Sequence, residues 1–275
     1  MPESRDLPEF ENPPVTEVVL AVQFEPLRAF EPVHFGLLWA RFRNRYPKTE
    51  QHPPLDPVLE HFQRSTRYQP RIELLTAPPI PRCWFLNDGG TELIQIQNDR
   101  FIHNWRKVGD RDTYPRYEHI RDQFQQELGE FQNFIKAENL GQIKANQCEV
   151  TYLNRIGTDS IWSTHTDAHQ IVTVLANEYS DDFLDHPENT RFSTQYVLKN
   201  NDGSPVGRLH VSMTPTYMPD TEEPSFSLSL TARRFPIDGS IDGIIRTLDF
   251  GRNHIVRGFT SITTPQMHAV WRRQR

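Results

Sequence analysis

Cysteine is almost missing from this chain: Cys83 and Cys148 occur alone, too few for a disulfide scaffold. Long apolar runs are missing as well. The longest clean one, Val18-Val19-Leu20-Ala21-Val22, falls far short of the roughly 20 residues that span a bilayer. Met1-Pro2-Glu3-Ser4 carries neither the basic nor the apolar stretch of a signal peptide, so a soluble cytosolic protein is expected. A basic excess is lacking too, with 30 Lys and Arg against 36 Asp and Glu and a net charge of -6. General coating of nucleic acid is thereby disfavoured, while a local basic stripe stays open. There is no Gly-rich phosphate loop ending in Lys-Ser/Thr, no Gly-x-Ser-x-Gly elbow and no Cys-x-x-Cys.

What is present describes a folded body. The 275 residues suffice for one large domain or two fused ones. Apolar residues reach only 36%, yet aromatics reach 11%, which argues against disorder. Residues 1–14, ending in Asn12-Pro13-Pro14, read as an extended arm. Glu17–Phe24 reads as a buried strand. A helix follows from Glu31-Pro32 to Tyr46-Pro47, with Phe35, Leu38, Trp39 and Phe42 at helical spacing. The four prolines of residues 47–58 predict a loop. Arg71–Leu75 and Cys83–Leu86 read as short strands, and Glu92–Trp105 as strand-like throughout.

The clearest helix spans about Thr113 to Leu140. Tyr117, Ile120, Phe124, Leu128, Phe131 and Ile135 form one stripe along it, and Gly141 supplies its stop. Cys148–Ile156 then reads as a strand, and Asp167 with Gln170 as a capping box for a helix reaching Tyr179. Strands are expected over Arg191–Lys199, Gly207–Met213 and Ser225–Ala232, with a turn at Asn201-Asp202-Gly203. A last long helix runs from Ser240 to Phe259, weakened by Gly243, Gly251 and Gly258, and Thr264-Pro265 caps a short turn through Met267, Val270 and Trp271.

The order strand, helix, three strands, long helix thus occurs twice. Glu17-Val18 recurs as Glu149-Val150, Asn44-Arg45-Tyr46 has a counterpart in Asn177-Glu178-Tyr179, and Arg100-Phe101 matches Arg234-Phe235. Ile94 and Ile96 then overlie Leu228 and Leu230. The expected fold class is α+β: an arm (1–14) and two β-α-β-β-β-α halves (15–142 and 143–275), their antiparallel sheets covered by two long helices. Element order alone resembles the TATA-binding-protein class. The alternative is a single helix-grip sheet of the pollen-allergen type.

Eleven histidines make a metal search necessary. The tightest cluster is His165, Asp167 and His169, with Asp182, Asp185 and His186 downstream. Asp167 as a cap would leave His165 outside the helix, so no ligand set of three or four converges and no metal or cofactor is expected. His210-Val211-Ser212 has the His-x-Ser pattern of two-histidine phosphoesterases but lacks the second copy that acid–base chemistry needs. Cys83, between Arg82 and Trp84, reads as a buried structural thiol. The stretch Gln95 to Lys107 stands apart, because polar groups alternate with apolar ones and Asn98-Asp99 interrupts them. Gln97, Asn98, Asp99, Arg100, Asn104, Trp105 and Arg106 are the candidate recognition residues, with Arg as paired donor and Trp as anchor. The competing reading is an ordinary solvated sheet face, with Arg100 an internal partner of Asp99.

Leu93 to Lys107, Tyr114-Pro115-Arg116-Tyr117 and Gln147-Cys148-Glu149-Val150-Thr151-Tyr152-Leu153-Asn154 resemble a sporadically distributed bacterial family of about this length with no assigned activity. The opening Asn12-Pro13-Pro14-Val15-Thr16-Glu17-Val18-Val19 and the closing His254 to Trp271 extend the similarity over nearly the whole chain. The resemblance implies a bacterial source and the patchy occurrence typical of mobile or defence genes, such as toxin–antitoxin or antiviral operons. It transfers no catalytic residue. The expectation is therefore a non-enzymatic binding or regulatory protein that contacts another protein. A hydrolase of nucleotides or nucleic acid, built on His210 or on the Asn98–Arg106 strand, is the second expectation. A small-ligand pocket between sheet and long helix is the third.

Overall fold

Alternation of buried and half-exposed residues along Val15–Phe24 makes the first strand (β1), whose Val18, Leu20, Val22 and Phe24 are buried on one face. A computed structural model describes residues 7–62, 80–175, 183–184 and 187–275. After β1 come helix α1 (Pro32–Phe42), β2 (Lys48–His52), β3 (Arg82–Leu86), β4 (Glu92–Gln97), β5 (Arg100–Arg106) and helix α2 (Tyr117–Ala137). The second part has β6 (Ala145–Gly157), a 3-10 turn at His165–Asp167, a short α3 (Ala168–Ile171), β7 (Phe192–Lys199), β8 (Pro205–Tyr217), β9 (Pro224–Arg234), α4 (Ile241–Ile262) and α5 (Pro265–Val270).

All nine strands belong to one sheet in the order β2-β3-β4-β5-β1-β6-β9-β8-β7, every pair antiparallel. The expected plural sheets are thus a single sheet, joined where β1 pairs β6 with Leu20 opposite Val150. Two long helices, α2 and α4, pack on its same apolar face, so a sheet gripping one helix is not what forms. The stripe from Tyr117 to Ile135 is buried as its spacing requires. Glu127 is buried with it, receiving hydrogen bonds from the Tyr46 hydroxyl and from Arg45 (2.9 Å) and facing His103 Nδ1 at 2.7 Å. Burial first, then the Glu127 charge, pushes the Tyr46 phenol up, so that hydroxyl stays a donor.

Several expectations change. Lys48–His52 is strand rather than loop; it pairs with β3 at the sheet edge, and its mostly exposed side chains left no apolar pattern to read. Glu92–Trp105 is two strands, folded back at Asn98-Asp99 so that Gln97 faces Arg100. The 3-10 turn has its capping box at Thr164 and Asp167, and α3 ends at Ile171. Arg71–Leu75 and the residues from 176 to Tyr179 lie outside the described residues. The glycines of α4 mark close approach rather than looseness: a Cβ on Gly251 would meet Val150 at 3.2 Å, and one on Gly258 would meet Leu209 at 2.8 Å. Among the described residues no helix is long and apolar enough to cross a membrane.

The register equating Arg100-Phe101 with Arg234-Phe235 is not the one the sheet makes. Arg100 opens β5 opposite Gln23, whereas Arg234 closes β9 opposite Cys148. By position in the sheet, Arg106 opposite Glu17 corresponds to Arg233 opposite Glu149. Ile94 and Ile96 likewise lie in β4, one strand farther from the centre than Leu228 and Leu230 in β9.

Candidate functional site

The period of two in each strand sorts the polar stretch onto two faces. Phe101, His103 and Trp105 point with the buried residues of β1 toward the helices. Gln97, Arg100, Asn104 and Arg106 fall on the opposite, outer face. Trp105 is buried (4% exposed) against Tyr114, with ring centroids 5.5 Å apart, so it is core and not the expected surface anchor. Asn98 and Asp99 form the turn, and their carbonyls accept the backbone N–H groups of Leu27 and Phe24. Gln97, Asp99 and Arg100 therefore lie together at the turn end of the outer face, Asn104 farther along it and Arg106 at its other end, and none of them is a bare surface.

Arg100 and Asp99 are 8% and 4% exposed and form a two-pronged pair, Nε to Oδ1 at 3.0 Å and Nη2 to Oδ2 at 3.2 Å. The internal-partner reading of Arg100 is the one its geometry meets. Asn104 and Gln95 bond each other at 2.7 Å, Asn104 donates to Glu17 (2.6 Å), and Arg82 donates to Gln95 (2.8 Å). Arg106 donates to the Gly90 carbonyl at 2.8 Å and its guanidinium lies 5.7 Å from the Trp84 ring centre.

What covers this face is the chain itself. Residues 53–62, Pro-Pro-Leu-Asp-Pro-Val-Leu-Glu-His-Phe, cross it as a strap. Prolines at 53, 54 and 57 keep the backbone out of helix and leave the remaining N–H groups to be satisfied elsewhere. Three glutamines from three strands supply partners. Gln97 of β4 accepts from Leu55 N–H (2.9 Å) and donates to the Leu55 carbonyl (3.1 Å). Gln23 of β1 accepts from Val58 N–H at 3.0 Å, and Gln147 of β6 from Glu60 N–H at 3.2 Å. Arg100 donates to the Asp56 carbonyl at 3.0 Å. Three residues, from 55 to 58, cover the two strand spacings from β4 to β1, about 9.6 Å, which only near-extended chain can reach.

The strap ends in a charged clamp on β8. Glu60, 5% exposed, takes a hydrogen bond from Arg208 and faces His210 Nε2 at 2.6 Å, while Arg208 also donates to the His61 carbonyl (2.7 Å) and lies over the Phe62 ring. Burial raises the Glu60 carboxyl, but the bonds to His210 and Arg208 outweigh it and hold it below the usual range. His210 is thus a clamp residue. Beneath the strap remains a cavity of about 420 Å³ floored by Ala21, Gln95, Arg100, Ile102 and Asn104. Gln147 Nε2 and Arg82 Nε are buried there without a partner.

Gln23, Gln147 and Arg208 were missed by sequence reasoning. Each sits one per strand, so no local cluster advertised them; only Gln97 lay within the conspicuous stretch. The histidine cluster dissolves: His165 Nε2 lies 2.9 Å from the Thr216 carbonyl, and Asp167 accepts the Ser163 and Thr164 N–H groups. Asp182, Asp185 and His186 lie outside the described residues. Among the described residues no group of three or more His, Cys, Asp or Glu is close enough to hold a metal. Both cysteines are buried, and burial pushes the Cys83 thiol up to about 11 and the Cys148 thiol up to about 12. Comparisons with family models, with curated proteins and with solved structures find no match to this chain.

Proposed function

We propose that this chain is a non-enzymatic binding protein that acts through contacts with another polypeptide, and that the outer face of its sheet is where the partner lies. One observation carries the reading: side chains from β4, β5, β1, β6 and β8 hold a strap chiefly by its backbone groups. Backbone recognition by side-chain amides is indifferent to sequence, so any extended segment that presents an acid to Arg208 and His210 meets the same partners. The favoured partner is a proline-containing, acidic extended segment that displaces residues 53–62. The family resemblance adds a bacterial setting, and its patchy occurrence suits a toxin–antitoxin or antiviral operon.

The duplicated, TATA-binding-protein-like architecture belongs to this proposal. Val18 and Val150 are 132 residues apart in the sequence, and the same offset carries Leu20 to Tyr152. The pairs Val18–Tyr152 and Leu20–Val150 exchange under that offset, as a two-fold axis between β1 and β6 requires. Outward from that axis β5-β4-β3 mirrors β9-β8-β7.

A labelled peptide of residues 53–62 tests the binding reading against the whole protein carrying Glu60→Gln, which weakens the strap, with Arg208→Gln as the control. The peptide is expected to bind the Glu60→Gln protein more tightly than the parent, whose face is occupied, and to lose binding when Arg208→Gln is added. Equal binding in all three proteins, or none in any, would overturn it.

A further inference from the structure

The opposite, helix-covered face holds a second cavity, of about 280 Å³, where the arm at residues 7–13 closes over the start of α2 and the middle of α4. Its walls are apolar: Ile255, Val256 and Phe259 from α4, Phe10 from the arm and Leu230 from β9. Polar groups line it as well. Arg252 lies with its guanidinium 5.3 Å from the Tyr117 ring centre, and its Nε is buried without a partner. Its ion partner, Glu118, stands 3.5 Å away and is 61% exposed, a pair worth little in water. Beside it the hydroxyls of Tyr114 and Tyr152 meet at 2.9 Å.

Arg116 adds a second cation that forms no ion pair within 4 Å among the described residues; it donates to the Phe10 and Glu11 carbonyls at 3.1 and 3.5 Å. Its backbone has φ 74°, where a Cβ is disfavoured, so this cation is carried on a strained position. The lining counts three arginines (Arg116, Arg252 and Arg275) against two glutamates (Glu9 and Glu118). The arm's own Glu9 shows how this rim treats an acid. A hydrogen bond from Arg275 lowers its carboxyl and desolvation opposes it, while the charges of Arg275, Arg116 and Arg252 add smaller pulls downward.

We infer that this cavity is a binding site for a small amphipathic carboxylate, aryl or medium-chain, whose apolar body packs on Phe259 and Val256 and whose acid faces Arg252 and Arg116. Apolar walls supply affinity without direction, and the half-paired arginines fix the end at which the charge must lie. The site lies on the other side of the sheet from the strap, so it stands or falls separately from the peptide-binding reading.

Titration calorimetry on the full chain with decanoate and 2-naphthylacetate, beside decanol as the uncharged control, tests this. At least one of the two carboxylates is expected to bind about tenfold or more tighter than decanol, the equivalent of one charge-assisted contact. Arg252→Gln should remove that preference while leaving decanol binding in place. Arg116→Gln does the same from a position outside the core, should Arg252→Gln fail to fold. Val256→Trp, which fills the cavity, should abolish binding of all three. Failure of both carboxylates to bind the folded parent overturns the inference. So does an undiminished preference in Arg116→Gln, or undiminished binding in a folded Val256→Trp protein.

Discussion

Replacing Arg100 by Ala separates a recognition role from a structural one. The guanidinium makes two bonds to Asp99, one to the Asp56 carbonyl and a longer one to the Gln23 side-chain oxygen, and both charged side chains are under 10% exposed. Its removal leaves the Asp99 carboxylate buried beside a turn without its cation, a change that costs about 3–5 kcal/mol where water cannot return. The cavity under the strap touches Arg100, so water has a path and the lower end applies, about 3 kcal/mol. In a chain of this size each kcal/mol moves the melting point by roughly 2–4 °C, so a fall of about 6–12 °C is expected. Arg106→Ala removes one bond to a carbonyl and a ring contact from a half-buried position, and should cost about 1 kcal/mol. The double variant Asp99→Ala/Arg100→Ala removes both charges and should be more stable than Arg100→Ala alone. Urea titrations of the three proteins measure this. A loss under about 0.5 kcal/mol for Arg100→Ala, the value of an ordinary exposed substitution, would refute the buried-pair argument and return Arg100 to the surface.

Two further outcomes follow from charge and burial. Glu60 titrates below its usual value of 4.5 in the folded chain, so the stability it contributes is fully present above that value and lost as pH falls through the lowered one. The amides of Leu55, Val58 and Glu60 should stay protected from hydrogen exchange from neutral pH to about pH 4.5 and lose protection in stronger acid. Loss of protection near neutrality would contradict the clamp. Cys83 and Cys148, with thiols held at about 11 and about 12, should not react with a disulfide reagent at pH 8 until the protein is unfolded. Stoichiometric labelling of the native chain would show that one of them is reached by solvent.

The sequence was most legible where one face is dry. The α2 stripe from Tyr117 to Ile135, the Val- and Leu-rich β1, the start of α4 next to Ser240 and the cap at Thr264 each had a local signal, and each is where that signal put it. It was least legible at the wet margins. The mostly exposed edge strand β2 shows no burial period, and its flanking prolines outvoted the residues that pair with β3. Glu92–Trp105 read as one strand although the parity of its apolar residues shifts at Asn98-Asp99, the mark of the turn that brings Gln97 back to face Arg100.

The candidate site divides along the same line. Parity in β5 separates Arg100, Asn104 and Arg106 from His103 and Trp105, and that much follows from counting by twos. What counting cannot reach is the third dimension of the outer face. Gln23, Gln147 and Arg208 lie far apart in sequence, and only the strand order β5-β1-β6-β9-β8 lines them up. The strap that joins them is proline-rich and read as an inert connection. A loop whose prolines hold it extended and whose N–H groups must find partners is instead suited to lie across a polar sheet. The glutamines and the prolines are therefore two halves of one arrangement. A polar outer face of this kind keeps its side chains buried only while a chain covers it. Coverage by residues 53–62 keeps Gln97, Arg100 and Asp99 buried, and a partner that takes their place must offer the same backbone groups and the same acid.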